Sequence, residues 1–197
     1  MKNPIYKIKI DNLVIRCAEY NDAKAQKEAI DASLEHLHEF MLWSHYEPES
    51  IEKKQERIKR WRKDYLENKD YSVVVFDGEK LVACAGLHTR LEGNALEIGY
   101  WVRADEVKKG IASKISVALT ILALEYIKVD EVVIHHNIKN TVSAKVPQKL
   151  NFQRQENYFD KDDGVENGRW IMNQSGYIKS KKHLNSFYKE IAFFEKA

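Results

Sequence analysis

The sequence predicts a mixed α+β layout, one central sheet with helices on both faces, and three observations carry that expectation. Four apolar runs of strand length stand at 71–76, 81–88, 96–102 and 131–136, and the first two are joined by Asp77-Gly78, a strong tight-turn pair. A long apolar-striped stretch, Ile111 to Ile127, lies between the last two runs and reads as a helix. A chain of 197 residues with 44% hydrophobic and 11% aromatic content supplies enough apolar surface for one sizeable core. The expected organisation is one domain over 1–175 and a C-terminal extension over 176–197.

Taken in order, Tyr6 to Cys17 reads as the first strand, ending in Leu13-Val14-Ile15-Arg16. Asn21-Asp22 is placed to cap a first helix, along which Ile30, Leu34, Leu37 and Met41 recur at helical spacing. That helix should stop before Trp43-Ser44-His45-Tyr46-Glu47-Pro48, because Pro48 disfavours helical geometry at Glu47. A second helix starts near Glu49, with Ile51, Ile58, Trp61 and Tyr65 on one side. Its charge run Glu52-Lys53-Lys54-Gln55-Glu56-Arg57 reads as a solvated face. The 81–88 run is apolar on both faces, as an interior strand would be.

Leu91-Glu92-Gly93-Asn94 turns the chain into the Leu96 strand, the fourth, and Glu131 to His136 is the fifth. Asn140 to Leu150 reads as a short helix despite Pro147. Phe152 to Phe159 and Gly168 to Met172 should pair antiparallel around the loop Asp160-Lys161-Asp162-Asp163-Gly164. After Gly176, Leu184, Phe187, Tyr188 and Ile191 fall at helical spacing and predict an amphipathic helix, a candidate surface for a homodimer.

Composition narrows the function. A net charge of +2 from 32 basic and 30 acidic residues does not mark a nucleic-acid binder. Cys17 and Cys84 lie in apolar strand-like runs outside any CxxC pair, which fits a reduced, cytoplasmic protein. No apolar run approaches the roughly 20 residues that cross a bilayer, so no membrane partner is expected. No metal is expected either, since His36 and His38 diverge on a helix and the other histidines lack ligand spacing.

The centre of the chain is the turn Asp105-Glu106-Val107-Lys108-Lys109-Gly110-Ile111-Ala112. A strand enters it and a long helix leaves it. A Gly-containing turn at a helix start gathers free backbone N–H groups around one point, and the helix dipole favours an anion there. With Lys108 and Lys109 in the turn, it reads as a seat for a phosphate-bearing cofactor.

This order of elements, with Leu96-Glu97-Ile98-Gly99-Tyr100-Trp101 and Asn140-Thr141-Val142-Ser143, resembles the GNAT superfamily of acetyl-CoA-dependent N-acetyltransferases, and within it the RimJ/RimL-type branch. Trp43-Ser44-His45-Tyr46-Glu47-Pro48, Gly86-Leu87-His88-Thr89-Arg90 and Val146-Pro147-Gln148-Lys149-Leu150-Asn151-Phe152 add to the likeness, which covers about residues 10 to 173. The resemblance implies a sheet splayed between the fourth and fifth strands. It also implies acetyl-CoA held by Trp101, Val102, the turn Val107, Lys108, Lys109, Gly110, Ile111, Ala112 and Ser113, and by Asn140 and Ser143. The sequence departs from the family at Val107, where Arg or Gln is usual, and at Lys108 and Asn151, where Gly is common. Asn tolerates the left-handed conformation a helix end needs. The departures motivate an alternative: an acyl-CoA-binding regulatory protein with the same fold and no turnover.

Acetyl transfer to an amine needs a proton acceptor, a donor for the oxyanion and a donor for the leaving thiolate. By resemblance the oxyanion faces a backbone N–H near Trp101 or Val102. Glu97 is the one acidic residue in an apolar strand, sharing a face with Gly99 and Trp101. It is the candidate proton acceptor or amine binder, against an ion pair with Arg90 or Arg103. His135 and His136 point to opposite faces of the next strand, and a cleft histidine suits proton transfer. By resemblance Ser143 lies near the thioester sulfur and relays a proton. It and Asn140 are also well placed to cap a helix. Trp43, His45, Tyr46 and Glu47 border the acceptor site in this fold and His88 could join them, to receive a protein N-terminus, a small amine or an antibiotic-like amine.

Overall fold

The computed structural model describes residues 4–161 and 164–195, so Asp162 and Asp163 of the expected 160–164 loop lie outside the described residues. The chain begins with a hairpin, β1 (Ile5–Ile10) and β2 (Leu13–Cys17). The single strand expected over Tyr6 to Cys17 is therefore two. Asp11, at φ 51°, supplies the left-handed corner that reverses the chain without a glycine. The first helix is likewise divided into α1 (Asp22–Asp31) and α2 (Leu34–His38). Ser33 sits at the break, where its Oγ donates to the Ala29 carbonyl at 2.7 Å and accepts from the Ala104 amide at 3.0 Å. Asn21 makes no side-chain cap. Asp22 faces back instead, accepting from the Glu19 amide at 2.7 Å and from Arg16 at 2.6 and 2.7 Å.

A 3-10 turn (Leu42–Tyr46) leads to α3 (Ile51–Leu66), whose cap is Ser50 accepting from the Lys53 amide. The helix buries Ile58 and Tyr65 as expected, but Lys54 from the charge run is also wholly buried. Its Nζ lies 2.5 Å from Glu47, which is 1% exposed. The reason is tertiary, because the loop before the helix folds an acid under it.

β3 (Tyr71–Asp77), β4 (Lys80–His88) and β5 (Ala95–Val102) form an antiparallel meander with β4 inside. α4 (Ile111–Ile121) continues through a π turn (Leu122–Ile127) to β6 (Glu131–Asn137). α5 (Thr141–Lys149) follows, capped by Asn140 and tolerating Pro147. Its end fulfils the expectation for Asn151. That residue sits at φ 60°, its amide reaches the Gln148 carbonyl and the Phe152 amide reaches Pro147, a Schellman close. The expected final pair is interrupted at 155–157, giving β7 (Gln153–Arg154) and β8 (Tyr158–Asp160), both paired with β9 (Val165–Asn173).

The tail is α6 (Gln174–Leu184), a 3-10 turn (Asn185–Phe187) and β10 (Ile191–Glu195). The helix stops at Leu184, so Ile191 belongs to a strand and not to the helical stripe. The sheet order is β10-β1-β2-β3-β4-β5-β6-β9-β7, and β5–β6 is its parallel pair. One face carries the larger core, including Ile98, Ile115, Leu119 and Val132. The other carries a smaller cluster of Ala23, Ile58, Leu81 and Cys84 beneath α1 and α3.

Asp11 ties the tail to the body. Its carboxylate lies 2.6 Å from Lys114 of α4 and accepts from the Lys189 and Glu190 amides at 2.8 and 3.1 Å. The Lys114 contact first, then the Lys189 amide, hold its pKa down to about 2. A depressed carboxylate contributes fully above the ordinary Asp range, and the contribution fades as pH falls toward the folded value. Asp11→Asn should therefore cost about 1 kcal/mol at neutral pH, and urea melts should show the gap between variant and parent closing between pH 4 and 2.

Candidate active site

The β5–β6 pair ends early. Ala95, Leu96 and Glu97 pair with Glu131, Val132 and Val133, and there the ladder stops. Beyond it β5 runs to Val102 against β4, and β6 runs to Asn137 against β9. The sheet thus opens as a fork, as expected between these two strands. Tyr100 and Val102 look toward the α4 side and Trp101 toward the α1–α3 side.

At the mouth of the fork stands the turn into α4. Lys108 at φ 64° and Gly110 at φ 79° are both left-handed, which curls successive amides toward one point. Among the described residues, the amides of Val107 to Ala112 donate to no carbonyl or side chain, so they are free for an anion. Glu106 is engaged from outside by Lys109 at 2.7 Å and Lys80 at 2.5 Å, which lower its pKa. Lys108 is exposed and makes no ion pair among the described residues. The free amides, the left-handed residues and the N-terminus of an 11-residue helix fit a diphosphate.

Across the fork, Tyr100 Oη is 3.1 Å from Ser143 Oγ, so the α4 side carries a paired hydroxyl. Burial pushes the Tyr100 phenol up to about 12, against the opposing effect of Ser143, so it stays protonated and able to donate. Asn140 Oδ1 accepts from the Ser143 amide at 2.9 Å and fixes the start of α5.

The opposite face holds a row of ionisable groups on three neighbouring strands. His88 of β4 is the cross-strand partner of Glu97 in β5. His135 Nδ1 of β6 lies 3.6 Å from Glu97 Oε1. Burial raises the Glu97 pKa, but the close approach of His135 and the charges of His135, Arg90 and His88 outweigh it and leave it below the usual carboxylate range. Arg103, the other candidate partner, pairs with Asp105. His135 also meets Tyr158 edge-on at 5.0 Å, and both line a cleft of about 630 Å³ with Leu91, Arg169 and the 155–157 turn.

His136 points away. Trp170 Nε1 donates to its Nε2 at 3.0 Å, its Nδ1 reaches the Asn137 carbonyl at 2.8 Å, and burial lowers its pKa. It is a neutral, structurally satisfied ring.

Of the expected acceptor loop, Trp43 reaches Trp101 at 6.2 Å and Tyr46 is open to solvent. His45 stacks on His38 at 4.7 Å. Glu47 is a correction: its buried carboxylate serves Lys54 and the Glu49 amide and is not presented to a ligand. Sequence reasoning missed Asp70, Tyr100, Tyr158 and Arg169. Asp70 lies just outside β3, and its link to His88 appears only when strand register is known.

Residues 12–153 match the family model described as an acetyltransferase (GNAT) domain. The chain is 26% identical over 144 residues to the Bacillus subtilis (strain 168) protein YdaF, provisionally named a ribosomal N-acetyltransferase, covering 72% of this chain and 78% of that one. Among solved structures it is similar to RimL, a ribosomal L7/L12 α-N-protein acetyltransferase in complex with coenzyme A, with TM-score 0.77 and 16% identity over 85% of this chain and 97% of that one. It is also similar to Mycobacterium smegmatis RimJ in complex with a CoA disulfide, with TM-score 0.79 and 14% identity over 92% of each chain. Among the described residues no helix is long and apolar enough to cross a membrane.

Proposed function

This chain belongs to the GNAT acetyltransferase family, and from that premise we propose a cytoplasmic enzyme that acetylates a primary amine, with a protein N-terminus as the favoured acceptor and direct attack in a ternary complex. The fork carries the reading. It has the free amides of the α4 turn and the Tyr100–Ser143 pair on one side and Glu97, His88 and His135 on the other, which supports this reading. Acetyl-CoA supplies an activated thioester. The amides of Lys108 to Ser113 would hold its diphosphate, Asn140 would position α5 against the pantetheine, and Ser143 Oγ, held by Tyr100, would donate toward sulfur. Trp101 and Val102, on the unpaired stretch of β5, would supply the backbone donor for the carbonyl oxygen.

Glu97 meets the amine. The carboxylate stands 3.6 Å from His135, which lines the cleft, and would draw in the ammonium form. Its lowered pKa makes it a better anchor than a base. An α-amine near pKa 8 is about 10% neutral at pH 7, against about 0.04% for a lysine amine, which favours an N-terminus where the base is modest. The name of RimL, a ribosomal L7/L12 α-N-protein acetyltransferase, supports the same acceptor class, and that of YdaF supports a ribosomal acceptor. Small amines, including antibiotic-like ones, are the competing acceptors.

Titration calorimetry with acetyl-CoA, followed by thiol release across N-terminal peptides and small amines, tests the reading. Binding with release on α-amine peptides is the expected result. No binding at millimolar acetyl-CoA would end it, and binding without release on any acceptor would favour a regulatory acyl-CoA binder.

A further inference from the structure

We propose that His88, held from behind by Asp70, is the catalytic residue that takes the proton from the acceptor amine. This rests on the acetyl-transfer reading above and assigns a step that Glu97 is poorly suited to perform.

Asp70 lies between α3 and β3, and its two oxygens stand 2.9 and 3.1 Å from His88 Nδ1. Ser72 Oγ adds a hydrogen bond to Asp70 at 3.1 Å, fixing the carboxylate. A carboxylate only accepts, so Nδ1 carries the hydrogen and Nε2 of the neutral ring keeps its lone pair. The ring occupies a ledge made by two glycines that face each other across the β4–β5 pair, Gly86 and Gly99. A Cβ on Gly86 would fall 2.6 Å from Cε1 and 2.8 Å from Nε2, and one on Gly99 would fall 3.2 Å from Nε2. Two missing side chains therefore let the imidazole lie flat over the sheet. Its basic nitrogen ends between Gly86 and Gly99, and Gly99 lies just past the point where β5 parts from β6.

The arrangement divides the labour on this face. Glu97, kept anionic, attracts a cation. The Asp70–His88 dyad offers a lone pair beside it, and an imidazole is the side chain suited to exchange protons near neutral pH. Nε2 takes one proton from the bound ammonium and so frees the nitrogen lone pair; the nitrogen then bonds the acetyl carbon, the C–S bond breaks with its electron pair on sulfur, and the second N–H proton balances the one Ser143 Oγ passes to the thiolate. Asp70 lies behind His88 and Glu97 is its partner across the strand pair, and Glu97 in turn feels the charges of Arg90 and His135. Asp70 is a positioning residue, acting through the ring.

The test is a steady-state pH profile on the full chain with an α-amine peptide that the parent acetylates. His88→Gln should lower kcat roughly 100-fold or more, abolish the acidic limb of the profile and leave acetyl-CoA affinity by calorimetry unchanged. Asp70→Asn should lower kcat less and leave the KM for the peptide unchanged. Long-range 1H–15N spectra of the parent should show the neutral His88 ring protonated at Nδ1. Activity of His88→Gln within threefold of the parent, with the acidic limb intact, overturns the proposal, and so does a neutral ring protonated at Nε2. A parent silent toward every amine overturns the acetyl-transfer reading itself, and this inference with it.

Discussion

Lys54→Ala will remove about 3–5 kcal/mol of stability, out of the roughly 5–15 kcal/mol a domain commonly has. Lys54 is wholly buried and Glu47 is 1% exposed, with 2.5 Å between their charged atoms. Removing the ammonium leaves a carboxylate inside the protein. Arg57, 3.8 Å away and already committed to Glu49 at 2.6 Å, compensates poorly. The loss comes from stranding the charge and does not measure the net worth of the pair. The double replacement Lys54→Met with Glu47→Leu should recover part of it, because the two buried charges go together and the Glu49 amide alone loses a close hydrogen-bond acceptor. Urea midpoints at constant m-value would show both effects. A single variant as stable as the parent would mean that water reaches Glu47.

Glu97→Gln should raise the KM for the amine by roughly 10- to 100-fold and leave kcat within a few fold. A charge-assisted contact is worth about 1.5–3 kcal/mol, which converts to roughly that range in affinity. The amide keeps the size of the side chain and loses only its charge. Because His135, Arg90 and His88 outweigh burial and lower the Glu97 pKa, the parent's KM should stay flat as pH falls until below the usual carboxylate range. A fall in kcat at unchanged KM would transfer the proton-accepting role from His88 to Glu97. The two substitutions on this face therefore separate by which kinetic constant moves.

The parts of this molecule that could be read from residues alone are those whose cause is local. The β3–β4 hairpin follows from Asp77-Gly78 between apolar runs, α4 from its stripe, and the Asn151 helix close from the residue's tolerance of positive φ. What stayed hidden depends on distant neighbours. Asp11 turns the first hairpin with no glycine to mark it. Ser33 breaks a helix whose apolar spacing runs straight through the break. Lys54 looks like any other member of a charge run until Glu47 folds beneath it. In the site, Glu97, His135 and Ser143 were legible from strand alternation and motif. Asp70 and Tyr100 were not, since each acquires meaning only from a partner on another element. The segment at 191–195, Ile-Ala-Phe-Phe-Glu, carries the aromatic and β-branched signature of a strand, but the Leu184-to-Ile191 helical spacing overrode it.

β10 lies alongside β1, with Ile10 opposite Ile191 and Ile5 opposite Glu195. During synthesis β1 must therefore wait until residues 191–195 have left the ribosome before its outer neighbour exists. Until then the nascent protein shows an open border with Ile8 and Ile10 beside it. The lysines of β1, Lys7 and Lys9, which in the finished fold lie over the Phe194 ring, would guard that border against pairing with other chains.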